Sequence, residues 1–202
     1  LTAAVSVASF HLTGAAAMLF TNWDTKVDAI SNVLIEGTVD LPPAFLNSDM
    51  SNRVWFVCSN FTLAASGLID ADARGYARGT STRSGQGLGG GITGANGGGG
   101  AGHGGAGARG YNGGAGSAYG DTDAPLAPGS GGGGCSAYPS IGGHGGGAVR
   151  IDATGLVTID GTITANGASG RTGVSGNSYG ASGGGRIAVR LTGTGSEFSP
   201  SW

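Results

Sequence analysis

An all-β fold, read most simply as a parallel β-helix (β-solenoid) with a glycine-rich insertion, is predicted by three features of this 202-residue chain. Apolar residues alternate along short runs with the two-residue period of strands, and no segment of helical length carries a 3.6-residue period. A short unit recurs: "IEGTVDL" (35–41) matches "IDGTITA" (159–165), and "ASGLIDA" (65–71) is a looser third copy. A unit of one strand and one glycine corner suggests stacked coils. Glycine supplies 46 residues and gathers in the middle of the chain, far above its usual share of about 7%.

In chain order, residues 1–74 read as an N-terminal β segment. Its first twenty residues are an uncharged apolar arm, expected as a buried strand, with an assembly helix or a membrane span as alternatives. The first residue is leucine, as expected of a processed product or fragment. "NRVWFVCSNFTLAASG" (52–67) is β-branched and aromatic, which suits strands. Residues 75–147 read as the insertion: from 85 to 147, 29 of 63 residues are glycine, and Leu88, Ile92, Leu126 and Ile141 are the only large aliphatics. Residues 148–202 return to β structure and complete the same domain. "AVRIDA" (148–153) sets Val149, Ile151 and Ala153 against Arg150 and Asp152, and "RIAVRL" (186–191) sets Ile187, Val189 and Leu191 against Arg186, Ala188 and Arg190. Asp160-Gly161 and Asn166-Gly167 are also strong hairpin signals, so an antiparallel β-sandwich is the alternative fold.

The glycines are ordered. Gly104, Gly107, Gly110, Gly113 and Gly116 recur every three residues, as do Gly167, Gly170, Gly173 and Gly176. Three is the period of the polyproline II helix, which makes no internal hydrogen bonds. Its amides must find partners on neighbouring segments, and a glycine edge lets two backbones approach. Packed polyglycine II helices are therefore one expectation for the insertion, and irregular ordered loops on a β core are the other.

Composition removes several functions. Ten basic residues, nine of them arginine, are scattered over a chain of net charge −2, so the basic patch of a nucleic-acid binder is absent. A membrane partner is not expected either. "GASGG" (180–184) has the form G-x-S-x-G around Ser182 but lacks the strand-to-helix turn of a nucleophile elbow. "GQGLGG" (85–90) has the glycine spacing of a dinucleotide loop without its context. No enzyme is expected. His103 and His144 stand alone among glycines, where hydrogen bonds to carbonyls suit them better than a metal. Asp70 with Asp72, and Asp121 with Asp123, are weak calcium candidates; otherwise no cofactor is expected. Cys58 and Cys135 are compatible with one disulfide or with two buried free thiols. Asn60-Phe61-Thr62 is a glycosylation pattern. All five tyrosines lie in or beside glycine-rich segments. They suit either packing on glycine helices or stacking on sugars, with Tyr111, Tyr119 and Tyr138 as the glycan candidates.

The stretches "GGGGAGHGGAGARGYNGGAGSAYGD", "GSGGGG", "GGHGGGAVRIDATGLVTIDGTITANGASG" and "GASGGGRIAVRLTG" together resemble glycine-rich β-helical segments of large bacterial surface and secreted proteins. "TGLVTIDGTITANG" is similar to repeats of filamentous haemagglutinin-type adhesins, and the glycine block to polyglycine-helix domains of phage tail-tip adhesins. The resemblance covers about 60–195. It implies an extracellular or cell-surface, structural or adhesive role. The leading expectation is a self-assembling subunit of a filament or layer. Alternatives are a glycan-binding adhesin or tail-fibre-like receptor-binding module, and an ice-binding protein with Thr158, Thr162 and Thr164 on one flat face. The partners implied are further copies of the chain and cell-surface glycans.

Overall fold

The computed structural model describes residues 1–121, 126–136, 141–171, 180–181 and 183–193, and the backbone of 197–200. Among these residues it is all-β, without helices, and no helix is therefore long and apolar enough to cross a membrane. Fourteen short strands form three parallel sheets, and the chain visits the sheets in turn. Sheet A holds β1 (Val5–Val7), β4 (Val27–Ala29), β7 (Arg53–Cys58), β10 (Ala148–Ala153) and β13 (Arg186–Leu191). Sheet B holds β2 (Phe10–Leu12), β5 (Asn32–Ile35), β8 (Asn60–Leu63), β11 (Leu156–Ile159) and β14 (Glu197–Pro200). Sheet C holds β3 (Ala17–Leu19), β6 (Thr38–Asp40), β9 (Leu68–Asp70) and β12 (Thr162–Thr164). Strands stack in chain order within each sheet, consistent with a parallel β-solenoid.

The antiparallel alternative is corrected by this topology. Every pairing between the named strands is parallel. Asp160-Gly161 does not fold β11 onto β12; it turns the chain from sheet B into sheet C. The apolar arm is likewise not one strand: it is broken into β1, β2 and β3, which make the first circuit.

Register builds the core. Phe10, Val33, Phe61 and Val157 align across sheet B, and Leu12, Ile35, Leu63 and Ile159 form the next column. Val54, Phe56 and Cys58 of β7 align with Val149, Ile151 and Ala153 of β10 in sheet A. Met18, Val39, Ile69 and Ile163 align in sheet C. The period of two puts each of these residues inside. Phe56 is the centre, with ring centroids 5.4 Å from Phe20, 5.6 Å from Phe61 and 6.3 Å from Phe10.

The repeat marks the corner between sheets B and C. That corner has four residues in circuits one and three (13–16, 64–67) and two in circuits two and four (36–37, 160–161). "IEGTVDL" and "IDGTITA" match closely because both hold the short corner. A Cβ on Gly37 would stand 2.3 Å from the Ala16 carbonyl oxygen, and one on Gly161 would stand 2.4 Å from those of Ala64 and Gly67. Short corners thus nest against long ones only through glycine.

Between sheets C and A the chain leaves the stack by passages 20–26, 41–52, 71–147 and 165–185. The last three pack on one another. The wholly buried Asn52 sets its amide nitrogen 2.7–2.9 Å from the carbonyl oxygens of Pro42, Pro43 and Arg74. Phe45 bridges Tyr76, with ring centroids 4.6 Å apart. The hub is 128–135, buried throughout. Gly129, Gly131, Gly132, Gly133 and Gly134 donate to the carbonyls of Gly146, Gln86, Gly143, Gly99 and Arg83. Gly129, Ser130, Gly131 and Gly132 accept from Tyr76, Gly183, Gly91 and Gly79. A strand bonds to two neighbours; this segment bonds to five separate stretches of chain.

Only Gly87, Gly104 and Gly120 among the described glycines have positive φ. Glycine is therefore used here chiefly because it lacks a Cβ. A Cβ would stand 2.1 Å from Ala77 O at Gly131, 2.0 Å from Gly180 O at Gly132 and 1.8 Å from Thr80 O at Gly134. Gly105, by contrast, has nothing within 4 Å. Gly132→Ala is expected to destabilise the protein by about 3 kcal/mol or more, beyond ordinary overpacking because backbone must move. Gly105→Ala should stay within ~0.5 kcal/mol. Denaturant unfolding of the two variants checks this.

Candidate functional site

Side-chain chemistry gathers in two places, the outer face of sheet A and the rim of the glycine block. On sheet A, Arg53 and Trp55 of β7 point outward because Val54 and Phe56 point in. The Arg53 guanidinium is sandwiched between Trp23 and Trp55, 4.5 and 4.3 Å from their ring centroids. Arg150 of the next strand lies 4.6 Å from the Trp55 centroid, and Lys26 5.5 Å. The Trp55 indole N–H and Arg150 Nε both donate to Asp152 Oδ2, at 2.9 and 2.7 Å, and Arg190 approaches Oδ1 at 3.5 Å. Lys26 pairs with Asp28 at 2.6 Å and Arg53 with Asp24 at 3.7 Å. Arg53 is only 4% exposed, and burial, then Arg150, pulls its pKa down. Cations, rings and carboxylates meet here, although Arg53 Nε and Asp152 Oδ1 are buried without a hydrogen-bond partner among the described residues, and the network clamps successive circuits from outside. Directly bonded members such as Trp55 and Asp152 are 97 positions apart, so local motifs gave no sign of it.

The rim of the block is built differently. Gly107, Gly110, Gly113 and Gly116 would place a Cβ 2.1, 2.2, 2.4 and 2.0 Å from the carbonyl oxygens of Gly100, Gly98, Gly97 and Gly89. The three-residue period thus follows the side turned toward 89–100, and it runs through a reversal. Gly110 and Gly113 exchange N–H bonds of 3.1 and 3.2 Å, and Asn112 takes φ 62°, a conformation asparagine tolerates. Gly104 stands apart: it has φ +63° and faces the Arg186 guanidinium.

His103 sits where this rim meets β13. Its Nδ1 bonds to the Gly184 carbonyl, and Arg186 Nε donates to its Nε2 at 2.9 Å. The neutral Nδ1–H tautomer satisfies both contacts. Burial and the Arg186 charge lower its pKa, against the raising effect of hydrogen bonds accepted by the Gly184 and Ala127 backbone. Its ring stacks on Tyr119 with centroids 4.8 Å apart. The Tyr119 hydroxyl donates to Pro128 O and accepts from Ser130 Oγ, which accepts from Gly89 N–H. Burial pushes the Tyr119 phenol up to about 12.

The remaining candidates separate. Of the two alternatives left open for the cysteines, the structure has buried free thiols: Cys58 points into the core and Cys135 donates to Ala95 O in the glycine block. Burial raises the Cys58 thiol to about 12. Asn60 donates to Asn32 Oδ1 at 2.9 Å and accepts from Leu156 N at 2.9 Å, so it is a rung of a corner ladder. Asp70 accepts from Asp72 N–H, and Asp72 accepts from the backbone and side-chain nitrogens of Asn166. Asp121 is exposed; its proposed companion Asp123 lies outside the described residues, as do Tyr138, Tyr179, Gly173, Gly176 and Ser182. Among the described residues no group of three or more His, Cys, Asp or Glu could hold a metal. Thr158 stands in sheet B while Thr162 and Thr164 stand in sheet C, so these three do not share the flat face expected of them. His144 accepts from Arg78 N–H at 3.2 Å, and burial, then Arg78, lowers its pKa. Tyr76 is engaged with Phe45 and with Met50. Tyr111 alone of the described tyrosines is presented to solvent, at 74% exposure.

No family model, curated protein or solved structure matches the chain.

Both glycine-block histidines hold folded-state pKa values below their ordinary 6.5. The unfolded chain therefore binds their protons first, and stability is complete above about 6.5. It falls as pH drops from there toward the folded values. The melting temperature is expected to decline between pH 7 and pH 5, and His103→Gln, which cannot charge, should flatten part of that decline. An unchanged pH slope in the variant would refute the role assigned to His103.

Proposed function

We propose that the chain is a non-enzymatic structural subunit of an extracellular surface layer or filament. Its sheets form a parallel β-solenoid, and its inserted passages form a polyglycine II-like bundle. The observation that carries this reading is the hub. Residues 128–135 are buried on all sides, bond to five other stretches, and hold no side chain beyond Pro128, Ser130 and Cys135. A lattice of backbone is a device for occupying space rigidly, and it offers almost no reacting group.

Self-assembly proceeds through the edges of the stack. β1 and β13 each have one partner strand in sheet A. Ile187 of β13 is aligned with the inward column of Val149 and Val54 yet is 43% exposed. In-register parallel stacking makes the next coil interchangeable with a coil of a second copy, and open strand edges are natural docking surfaces. Dispensing with long-range charge suits such association, since the net charge is only −2.

The wild-type chain is expected to form linear particles in negative-stain micrographs and to sediment as species larger than a monomer. Ile187→Lys places a charge in the joining column. It should give monomers with a melting temperature within a few degrees of wild type. A wild-type chain that stays monomeric at every accessible concentration would overturn the reading.

A further inference from the structure

The turn at 109–114 displays three neighbouring side chains, Arg109, Tyr111 and Asn112, to solvent. It frames a concavity of about 390 Å³ lined by Arg109, Gly110, Tyr111, Asn112, Gly113 and Gly114. A second, of about 210 Å³, shares Arg109 and Gly110 with the first and is otherwise lined by glycine and alanine of 98–108 and 180–181. The backbone beneath is fixed: the two Gly110–Gly113 bonds close the turn, and Gly107, Gly110, Gly113 and Gly116 press it on the neighbouring segments. Tyr111 makes no ring contact and Arg109 no ion pair among the described residues. Tyr76 and Tyr119 are both consumed by packing, and Arg53, Arg74, Arg150 and Arg190 by carboxylates. An unspent ring, guanidinium and amide stand together on a rigid support.

We propose that this turn is a binding site for an acidic oligosaccharide, a chain of pyranose rings bearing carboxylates. The Tyr111 ring offers a flat face to the C–H side of one sugar ring. Arg109, which lines both concavities, takes the carboxylate by paired charge-assisted hydrogen bonds. The Asn112 amide both donates and accepts, which suits hydroxyls. The second concavity, walled by glycine and alanine, receives the adjoining ring. Because the turn is already held, little ordering cost falls on binding. A duplex or single-stranded nucleic acid is a poor fit, since Arg109 is the only cation lining either concavity. The site is independent of assembly and stands whether or not the chain forms filaments.

Titration calorimetry with tetragalacturonate, its methyl ester and neutral cellotetraose tests the assignment on the full chain. The acid form should bind, and the ester and the neutral tetramer should each bind at least about tenfold more weakly. Tyr111→Ala should weaken the acid form at least about tenfold, and Arg109→Gln should erase the preference for acid over ester. Both side chains are exposed, so unchanged circular dichroism and melting will show the variants folded. Absence of acid-form binding at millimolar ligand, or binding equal in wild type and both variants, would overturn the proposal. So would binding that added salt removes equally from wild type and Arg109→Gln.

Discussion

Backbone-to-backbone contact at distances no Cβ tolerates is the constraint on which the rest of the molecule depends. At the hub, a methyl on Gly131, Gly132 or Gly134 would sit about 2 Å from a carbonyl oxygen. Real carbon–oxygen contacts need more than 3 Å. The bonded amides at 129–134 all reach partners on other stretches, so hydrogen bonding requires the close approach, and the close approach requires glycine. The period of the glycines follows from how many sides are occupied. The rim segment faces neighbours on one side, so every third residue suffices there. The hub faces neighbours all round, and glycines run consecutively at 131–134.

The stack of sheets makes this lattice attainable. Successive strands in a sheet lie about 4.8 Å apart, so passages leaving successive circuits at one corner begin at hydrogen-bonding distance. The ladder of β9 and β12 continues past both strands, with Ala71 N donating to Thr164 O and Ala73 N to Asn166 O. At the returning ends Gly147 donates to Ala71, Gly185 to Ala165 and Arg186 to Gly147. Each passage is thus tied to another at its root. The few polar side chains at the seam, Asn52, Ser130, Tyr119 and His103, each bond to main chain across it. They are fasteners between two kinds of packing.

What could be read in the sequence was whatever has a local period. The alternations at 148–153 and 186–191 put Val149, Ile151 and Ile187 on the inward side, as the structure does. The recurring corner glycines Gly37, Gly67 and Gly161 signalled stacking, because a corner repeats whenever a circuit does. The first three strands were harder: the corner between the second and third is long and carries Gly14 where nothing crowds it, so 1–20 looked like a single arm. The stretch 102–116 drew attention for its regular glycine, yet the hub is the plainer "PGSGGGGC" (128–135), which shows no period. The Trp55–Asp152 contact and the Arg186–His103 contact were invisible, since each joins residues brought together only by the 77-residue passage. Tyr111 was not set apart in the sequence from Tyr119, which is packed; its exposure beside Arg109 depends on the reversal at Asn112.

Glycine-rich chain is an expensive material to order, since each glycine forfeits more backbone freedom than any other residue. The block recovers little apolar burial, because it holds few large aliphatics and two of them, Leu88 and Ile92, are exposed. Each internal hydrogen bond returns only about 0.5–1.5 kcal/mol net. A bundle of this kind therefore gains from being held at its roots by a body with a real core. The columns from Phe10 to Val157 and from Leu12 to Ile159 supply that body. It follows that the glycine block is subordinate in stability to the three sheets. Loss of packing at Phe56 should release the passages, whereas opening of the rim at 102–116 leaves the aligned columns intact. The order of dependence runs from side-chain core to root ladders to backbone lattice, and the displayed turn at 109–114 inherits its rigidity from all three.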